Sequence, residues 1–199
     1  LFPRNHVVSP YCVGALISGG VYEVSVRKRP KVKIVPTGSE LMDWRTTPPG
    51  DLKPGQVVES NSYVLQRMAE AAGAACERRE SVVDDLDRVR EAIRTGVEGD
   101  DQIVLTVGGS SAGSQDYTRA AVEALGEVLV HGVTIMPGKP LLIGAVGDKP
   151  VFGIPGYPVS AIVAFEQFVR PLIHRMLQKP EESRQKVTVE PTRKIPSKL

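Results

Sequence analysis

Three glycine-rich turns, each at the end of a short apolar run, carry the groups that could do chemistry in this 199-residue chain. Residues 36–40 (Pro-Thr-Gly-Ser-Glu) follow Val32 to Val35, residues 107–116 (Val-Gly-Gly-Ser-Ser-Ala-Gly-Ser-Gln-Asp) follow Ile103 to Thr106, and residues 154–158 (Ile-Pro-Gly-Tyr-Pro) follow Val151 to Gly153. In the second turn, Gly108, Gly109 and Gly113 let the backbone come close to a ligand. A helix starting at Asp116 aims its unpaired amides and partial positive charge at the same place. That arrangement suits a phosphate, with Ser110, Ser111 and Ser114 offering hydroxyls. The spacing is neither G-x-G-x-x-G nor the Walker sequence, which excludes ordinary dinucleotide and P-loop sites. A structural strand-to-helix turn would explain one glycine pair; the added hydroxyls weigh towards binding.

The charged candidates divide in the same way. Taken alone, Asp116 caps its helix. As a site residue beside a phosphate it needs Mg²⁺ between them or a protonatable role. Asp84 and Asp85 pose the same choice, with capping the simpler account. Glu40 stands at a strand end where no helix needs it. Residues 137–140 (Pro-Gly-Lys-Pro) and 155–158 (Pro-Gly-Tyr-Pro) are rigid turns, their φ fixed by proline, and Lys139 is a fixed cation for an oxyanion if it is more than a surface lysine. Tyr157 either faces the site or covers the following helix. His6, His131 and His174 are scattered and make no Ser-His-Asp or Cys-His arrangement.

Regular elements must position these groups. Val64, Leu65, Met68, Ala71 and Ala72 share one face of a helix over 61–73, with Ser60 or Asn61 as cap and Gly73 as terminator. Leu86, Val89, Ile93 and Val97 mark a second helix, capped by Asp84 or Asp85, and a third runs from Asp116 to Leu125 and stops at Gly126. Extended runs at 128–135, 141–146 and 151–154 precede a long apolar helix from about 158 to 177, which Pro171 kinks or restarts after Arg170. Alternating strands and helices predict an α/β fold, a three-layer α/β/α domain with a mostly parallel sheet. In such a sheet ligands sit beyond the carboxyl ends of the strands, so the three turns open into one crevice. The domain is expected over 32–179. Residues 1–31 are a mixed segment and linker from a preceding domain, whose basic run 27–31 reads as a solvated connector rather than a nucleic-acid patch. Residues 180–199 are a linker and the start of another domain. Both ends look cut, as in a fragment of a longer protein.

Composition sets the remaining bounds. Hydrophobic residues are 41% and charged residues 24%, and 25 Lys and Arg balance 23 Asp and Glu, so no global field favours nucleic acid or an anionic membrane. Cys12 and Cys76 have neither metal-ligand nor disulfide-framework spacing. No run approaches the roughly 18 apolar residues of a membrane span, and the first residues show no basic segment leading into an apolar core like that of a secretory leader. A soluble, cytoplasmic protein is expected.

Five ordered motifs then carry a resemblance: residues 36–41, 55–61 (Gly-Gln-Val-Val-Glu-Ser-Asn), 108–117, 137–140 and 154–161. Together they resemble molybdopterin molybdenumtransferase, the MoeA and gephyrin E-domain family, over its molybdopterin-binding domain. Residues 2–20 resemble the segment leading into that domain, and 195–199 the start of the next. The resemblance implies a MogA-like fold and a reaction that inserts molybdate into adenylylated molybdopterin with release of AMP. It places Glu40, Asp84 and Asp116 around Mg²⁺ and molybdate, and Lys139, Pro155 and Pro158 in the substrate pocket. Thr37, Gly38, Gly108, Gly109, Ser110, Ser111, Gly113, Gly156 and Tyr157 would hold the molybdopterin adenylate. It also implies a homodimer, whose second copy completes the site, and an adenylyltransferase partner. Ser39 stands where the family commonly has Asp, Met136 where it has a second Lys, and Tyr157 where it has Asn; losing one anion and one cation would weaken metal or molybdate handling. Two alternatives are a MogA-like adenylyl transfer to molybdopterin and a non-catalytic pterin-binding scaffold.

Overall fold

Burial along the central strands follows from their side-chain alternation, because both faces of the sheet are covered. The computed structural model describes residues 2–108 and 116–179, with residues 187, 188, 190 and 192 beyond them. Strands β1 (Lys31–Thr37), β4 (Ala75–Arg78), β5 (Ile103–Gly108), β6 (Glu127–His131), β7 (Leu142–Val146) and β8 (Lys149–Ile154) form one sheet in the order β4-β1-β5-β8-β7-β6. A separate parallel pair joins β2 (Leu41–Met42) to β3 (Val57–Val58).

Val32 and Ile34, Ile103, Leu105 and Val107, and Phe152 and Ile154 point to one face. There they pack on α2 (Asn61–Ala72), α5 (Pro158–Ala164) and α6 (Arg170–Met176). Val35, Val104 and Val151 point to the other face, against α3 (Leu86–Glu98) and α4 (Tyr117–Leu125). Strands apolar on both sides are those of a parallel α/β sheet, and β4, β1, β5 and β8 are parallel. The three-layer expectation and its mostly parallel sheet therefore hold.

The other edge is antiparallel. A two-residue turn at Gly147 and Asp148 joins β7 to β8, and the span between β6 and β7 contains no helix to carry a parallel crossover. Helix ends follow their local chemistry: Asp85, not Asp84, caps α3 through Arg88 N at 2.9 Å, and Asp116 caps α4 through Arg119 N at 3.0 Å.

Besides the short β2–β3 ribbon, a first helix and strand β4 have no counterpart in the sequence reading. Residues 10–18 form helix α1, begun by Ser9, whose hydroxyl accepts from Cys12 N, and by Pro10 in the first turn. Strand β4 is short and half-buried, and its sequence Ala-Cys-Glu-Arg lacks an apolar alternation. The last helix departs from one continuous rod. A widened π turn over Phe165–Val169 separates α5 from α6, which begins at Arg170 with Pro171 in its first turn. Proline lacks an amide and crowds the carbonyl four residues earlier, so the chain rewinds at the position expected.

Asp101, only 8% exposed between α3 and β5, has its carboxyl pushed above the ordinary aspartate value, chiefly by burial; Lys33 and two other lysines offset this in part. The folded state then holds the proton more tightly than the unfolded state. This acid's contribution to stability accordingly falls as pH rises from the unfolded to the folded value. Urea midpoints across that acidic range are expected to decline less steeply for Asp101→Asn than for the parent chain. An unchanged slope would remove Asp101 as the cause.

Candidate functional site

The three turns meet. Thr37 ends β1, is 2% exposed, and sends its hydroxyl to the carbonyl of Val107 at 3.5 Å. Its register partner on β5 is Gly108, which has φ +117° and leaves no room for a side chain: a Cβ there would lie 2.1 Å from the Thr37 carbonyl oxygen. At the end of β8, a Cβ on Gly156 would sit 3.4 Å from the Cα of Gly108. Glycine is therefore required at 108 for φ and for contact, and three backbones converge at the carboxyl ends of β1, β5 and β8.

A fourth segment closes the site. The amide of Asn61, at the start of α2, donates to the Gly156 carbonyl at 2.6 Å. Between these segments lies a pocket of about 420 Å³. Thr37, Gly108, Gly156, Tyr157 and Pro158 contribute to its wall, together with Glu40 and Asp84, and Leu41, Val57, Val58 and Val107 supply apolar surface.

The acids are placed with care. The Glu40 carboxylate folds over Gly38, both oxygens 2.8 Å from where a Cβ would be, so its approach depends on glycine at 38. Asp84 is locked to the first turn by a reciprocal pair: Ser39 N donates to Asp84 Oδ2 at 3.2 Å, and Asp84 N donates to Ser39 Oγ at 3.1 Å. An aspartate at position 39 would instead set two carboxylates together, so the serine substitutes a hydrogen bond for a repulsion. The β2–β3 ribbon ties Glu40 to the segment before α2, through Val57 N to the Glu40 carbonyl and Glu59 N to the Met42 carbonyl, each at 2.9 Å.

Other expected residues lie apart. Asp116 does not line the pocket: one carboxylate oxygen caps α4 and the other meets His131 Nε2 at 3.0 Å. Lys139 is exposed and outside the lining, in a turn packed on the first turn of α5, where a Cβ on Gly138 would be 3.6 Å from the Ser160 carbonyl oxygen. Among the described residues no three His, Cys, Asp or Glu side chains are close enough to hold a metal ion, so Glu40, Asp84 and Asp116 do not form one ligand set. Each of the last two has its carboxylate committed locally, to Ser39 and to the α4 cap with His131. Gly38 and Pro155 are buried and outside the lining, next to the lining residues Thr37 and Gly156. Gly109, Ser110, Ser111 and Gly113 lie outside the described residues.

Sequence reasoning assigned no site role to three polar lining residues, Glu59, Ser60 and Asn61. Ser60 and Asn61 read as helix caps, but the Ser60 side chain makes no capping bond. Glu59, 4% exposed, does that work instead: its two oxygens accept from Ser62 N at 2.8 Å and Ser62 Oγ at 2.6 Å. Arg78 stands 3.8 Å behind it and is held by Tyr63, with one guanidinium nitrogen 2.8 Å from the phenol oxygen. A buried carboxylate is tolerated when it is hydrogen-bonded and neutralised in this way. A carboxylate and an amide at 59 and 61, at the start of α2, were the available signal.

The lining holds three carboxylates, Glu40, Glu59 and Asp84, and among the described residues no lysine, arginine or histidine. An anionic group entering there needs a counter-cation. The donor-rich edge of a heterocycle does not.

Comparison with known proteins gives one consistent result. The family described as "Probable molybdopterin binding domain" matches residues 33–175. A molybdopterin molybdenumtransferase of Staphylococcus aureus strain COL is 33% identical over 174 residues, 87% of this chain and 40% of that protein. Molybdopterin molybdenumtransferase 2 of Mycobacterium tuberculosis is 33% identical over 191 residues, 91% of this chain and 45% of that protein. Among solved structures, the molybdopterin biosynthesis moeA protein of Pyrococcus horikosii superposes with a TM-score of 0.78 at 34% identity, covering 88% of this chain and 42% of that one. The chain thus spans well under half the length of these relatives.

Proposed function

Because the chain belongs to the family of molybdopterin-binding domains, we propose that it acts in molybdenum cofactor biosynthesis, binding molybdopterin adenylate for molybdate insertion and release of AMP. The observation that carries this reading is the convergence of the 36–40, 107–108 and 154–158 turns with α2 on one pocket at the carboxyl ends of parallel strands. Apolar wall and carboxylates suit a pterin ring with its N–H edge. The end at Gly108, where no side chain intervenes, lets a phosphate approach the main chain of β5.

Glu40 and Asp84 offer hard carboxylate oxygens in the lining, a donor set that fits Mg²⁺ when substrate phosphates complete the shell. What Mg²⁺ would supply is neutralisation of phosphate charge next to carboxylates that otherwise repel it. On this reading Asp116 and Lys139 act at the phosphate end, outside the pocket wall. The motif resemblance supports the rest of the proposal, a homodimer supplied by an adenylyltransferase, in which residues 1–31 and 180–199 join the 32–179 domain to its neighbours; composition supports a cytoplasmic setting. No described helix is long and apolar enough to cross a membrane.

Titrating the chain with molybdopterin adenylate is expected to give saturable binding that tightens on adding Mg²⁺. No saturation with Mg²⁺ present would sink the reading. In the full-length protein, AMP release that requires molybdate marks insertion, whereas ATP consumption marks adenylyl transfer. Tight binding with neither would make this a pterin-binding module.

A further inference from the structure

Helix α2 begins with a substitution of roles. Serine is among the preferred N-cap residues, its hydroxyl satisfying one of the first amides. Ser60 occupies that position and does not cap; it lines the pocket. Glu59, one residue earlier, reaches past it to Ser62 N and Ser62 Oγ. Asn61 between them spans to the Gly156 carbonyl on a different segment of the chain.

We propose that Glu59 is a positioning residue of the pocket: by taking over the cap of α2 it leaves the Ser60 hydroxyl to the ligand and fixes the direction in which Asn61 holds the Gly156 turn. Three observations support the assignment. Glu59 is buried and both its oxygens are engaged, so its rotamer is held. Its backbone is tied through Glu59 N to the Met42 carbonyl, in the ribbon that carries Glu40. Arg78, itself anchored with its guanidinium carbon 4.1 Å over the Tyr63 ring, compensates the charge from outside the pocket, so Glu59 need not recruit a cation from within. Glu59 therefore links the acid at one rim of the pocket to the turn at the other. It acts through Asn61 and the α2 amides rather than by chemistry of its own.

The inference rests on the proposed pterin-binding reading, and the test separates the two. In Glu59→Ala, affinity for molybdopterin adenylate is expected to fall by about tenfold or more, the scale of one hydrogen bond to a charged group. Glu59→Gln keeps an acceptor for Ser62 N and should stay within about threefold of the parent. In an Asn61→Ala background the Glu59→Ala effect should shrink to the part carried by Ser60, because the path from 59 to Gly156 is already cut. Additive losses in the double variant would overturn the proposal, and so would equal losses for Gln and Ala at 59. Amide hydrogen exchange, read without ligand, should speed up at Ser62 and at Gly156–Tyr157 in Glu59→Ala. Unchanged exchange at the Gly156 turn would also overturn it. If the parent chain binds no adenylate, the functional reading fails, and the exchange measurement still decides the role of Glu59.

Discussion

Gly108→Ala is expected to destabilise the chain by about 3–5 kcal/mol and to abolish ligand binding at the pocket. Two costs combine at this residue. Alanine at φ +117° carries strain of about 1–3 kcal/mol on its own. Its Cβ would also stand 2.1 Å from the Thr37 carbonyl oxygen, which is main chain of the neighbouring strand and has no rotamer to change. Relief requires β1 and β5 to separate at their carboxyl ends, where the pocket is built. Equilibrium urea unfolding checks the energy, and binding of molybdopterin adenylate checks the site. A loss of less than about 1 kcal/mol would mean the strands are not in contact as described.

Under the proposed function, Glu40→Gln should behave in the opposite way, leaving stability within about 0.5 kcal/mol while lowering the proposed molybdate-dependent AMP release, assayed together with the proposed neighbouring domains, by about a hundredfold. The glutamine is isosteric and Glu40 is exposed at the pocket mouth, so folding loses nothing in the core. What is lost is one of the two carboxylates proposed to hold the cation, in a pocket with no basic side chain among the described lining residues to take over charge neutralisation. The signature is a loss of the Mg²⁺-dependent part of affinity with the Mg²⁺-independent part retained. Activity within threefold of the parent would remove Glu40 from the site chemistry.

How far the sequence reached can be judged residue by residue. Helices α2, α3 and α4 and the sheet strands β1, β5 and β8 were legible because their apolar positions repeat at the period of a face that must be buried. The meeting of the three turns was legible because a parallel sheet leaves its loops at one end. Position along a strand does not specify what a side chain does once there. Asp84 and Asp116 carry equivalent sequence signals, yet Ser39 draws the first to the pocket while the helix cap and His131 hold the second away from it. Lys139 belongs to a well-formed Pro-Gly turn and still lies exposed outside the lining, in a turn that packs at Gly138 against the start of α5. Helix α1 was hidden by its own punctuation, Pro10 and Gly14, though Ser9 and Pro10 are a proper helix start. Ser60 is the converse case: a residue suited to capping does not cap, because the longer Glu59 side chain reaches the Ser62 amide in its place.

The short ribbon made by β2 and β3 has a consequence for how this chain can change. Its hydrogen bonds close the excursion from Asp43 to Gln56 at the neck, with Asp43 and Arg45 paired near it and the Asp43 carboxyl drawn down to about 2 by that arginine. Past the neck, residues 47–55 touch no wall of the pocket. Doubling the length of such a closed loop costs only about 0.6 kcal/mol of chain entropy. The stretch around Pro48, Pro49 and Gly50 is therefore where the molecule can accept an inserted peptide, a fluorophore or a whole extra domain without moving the acids on either side of the neck.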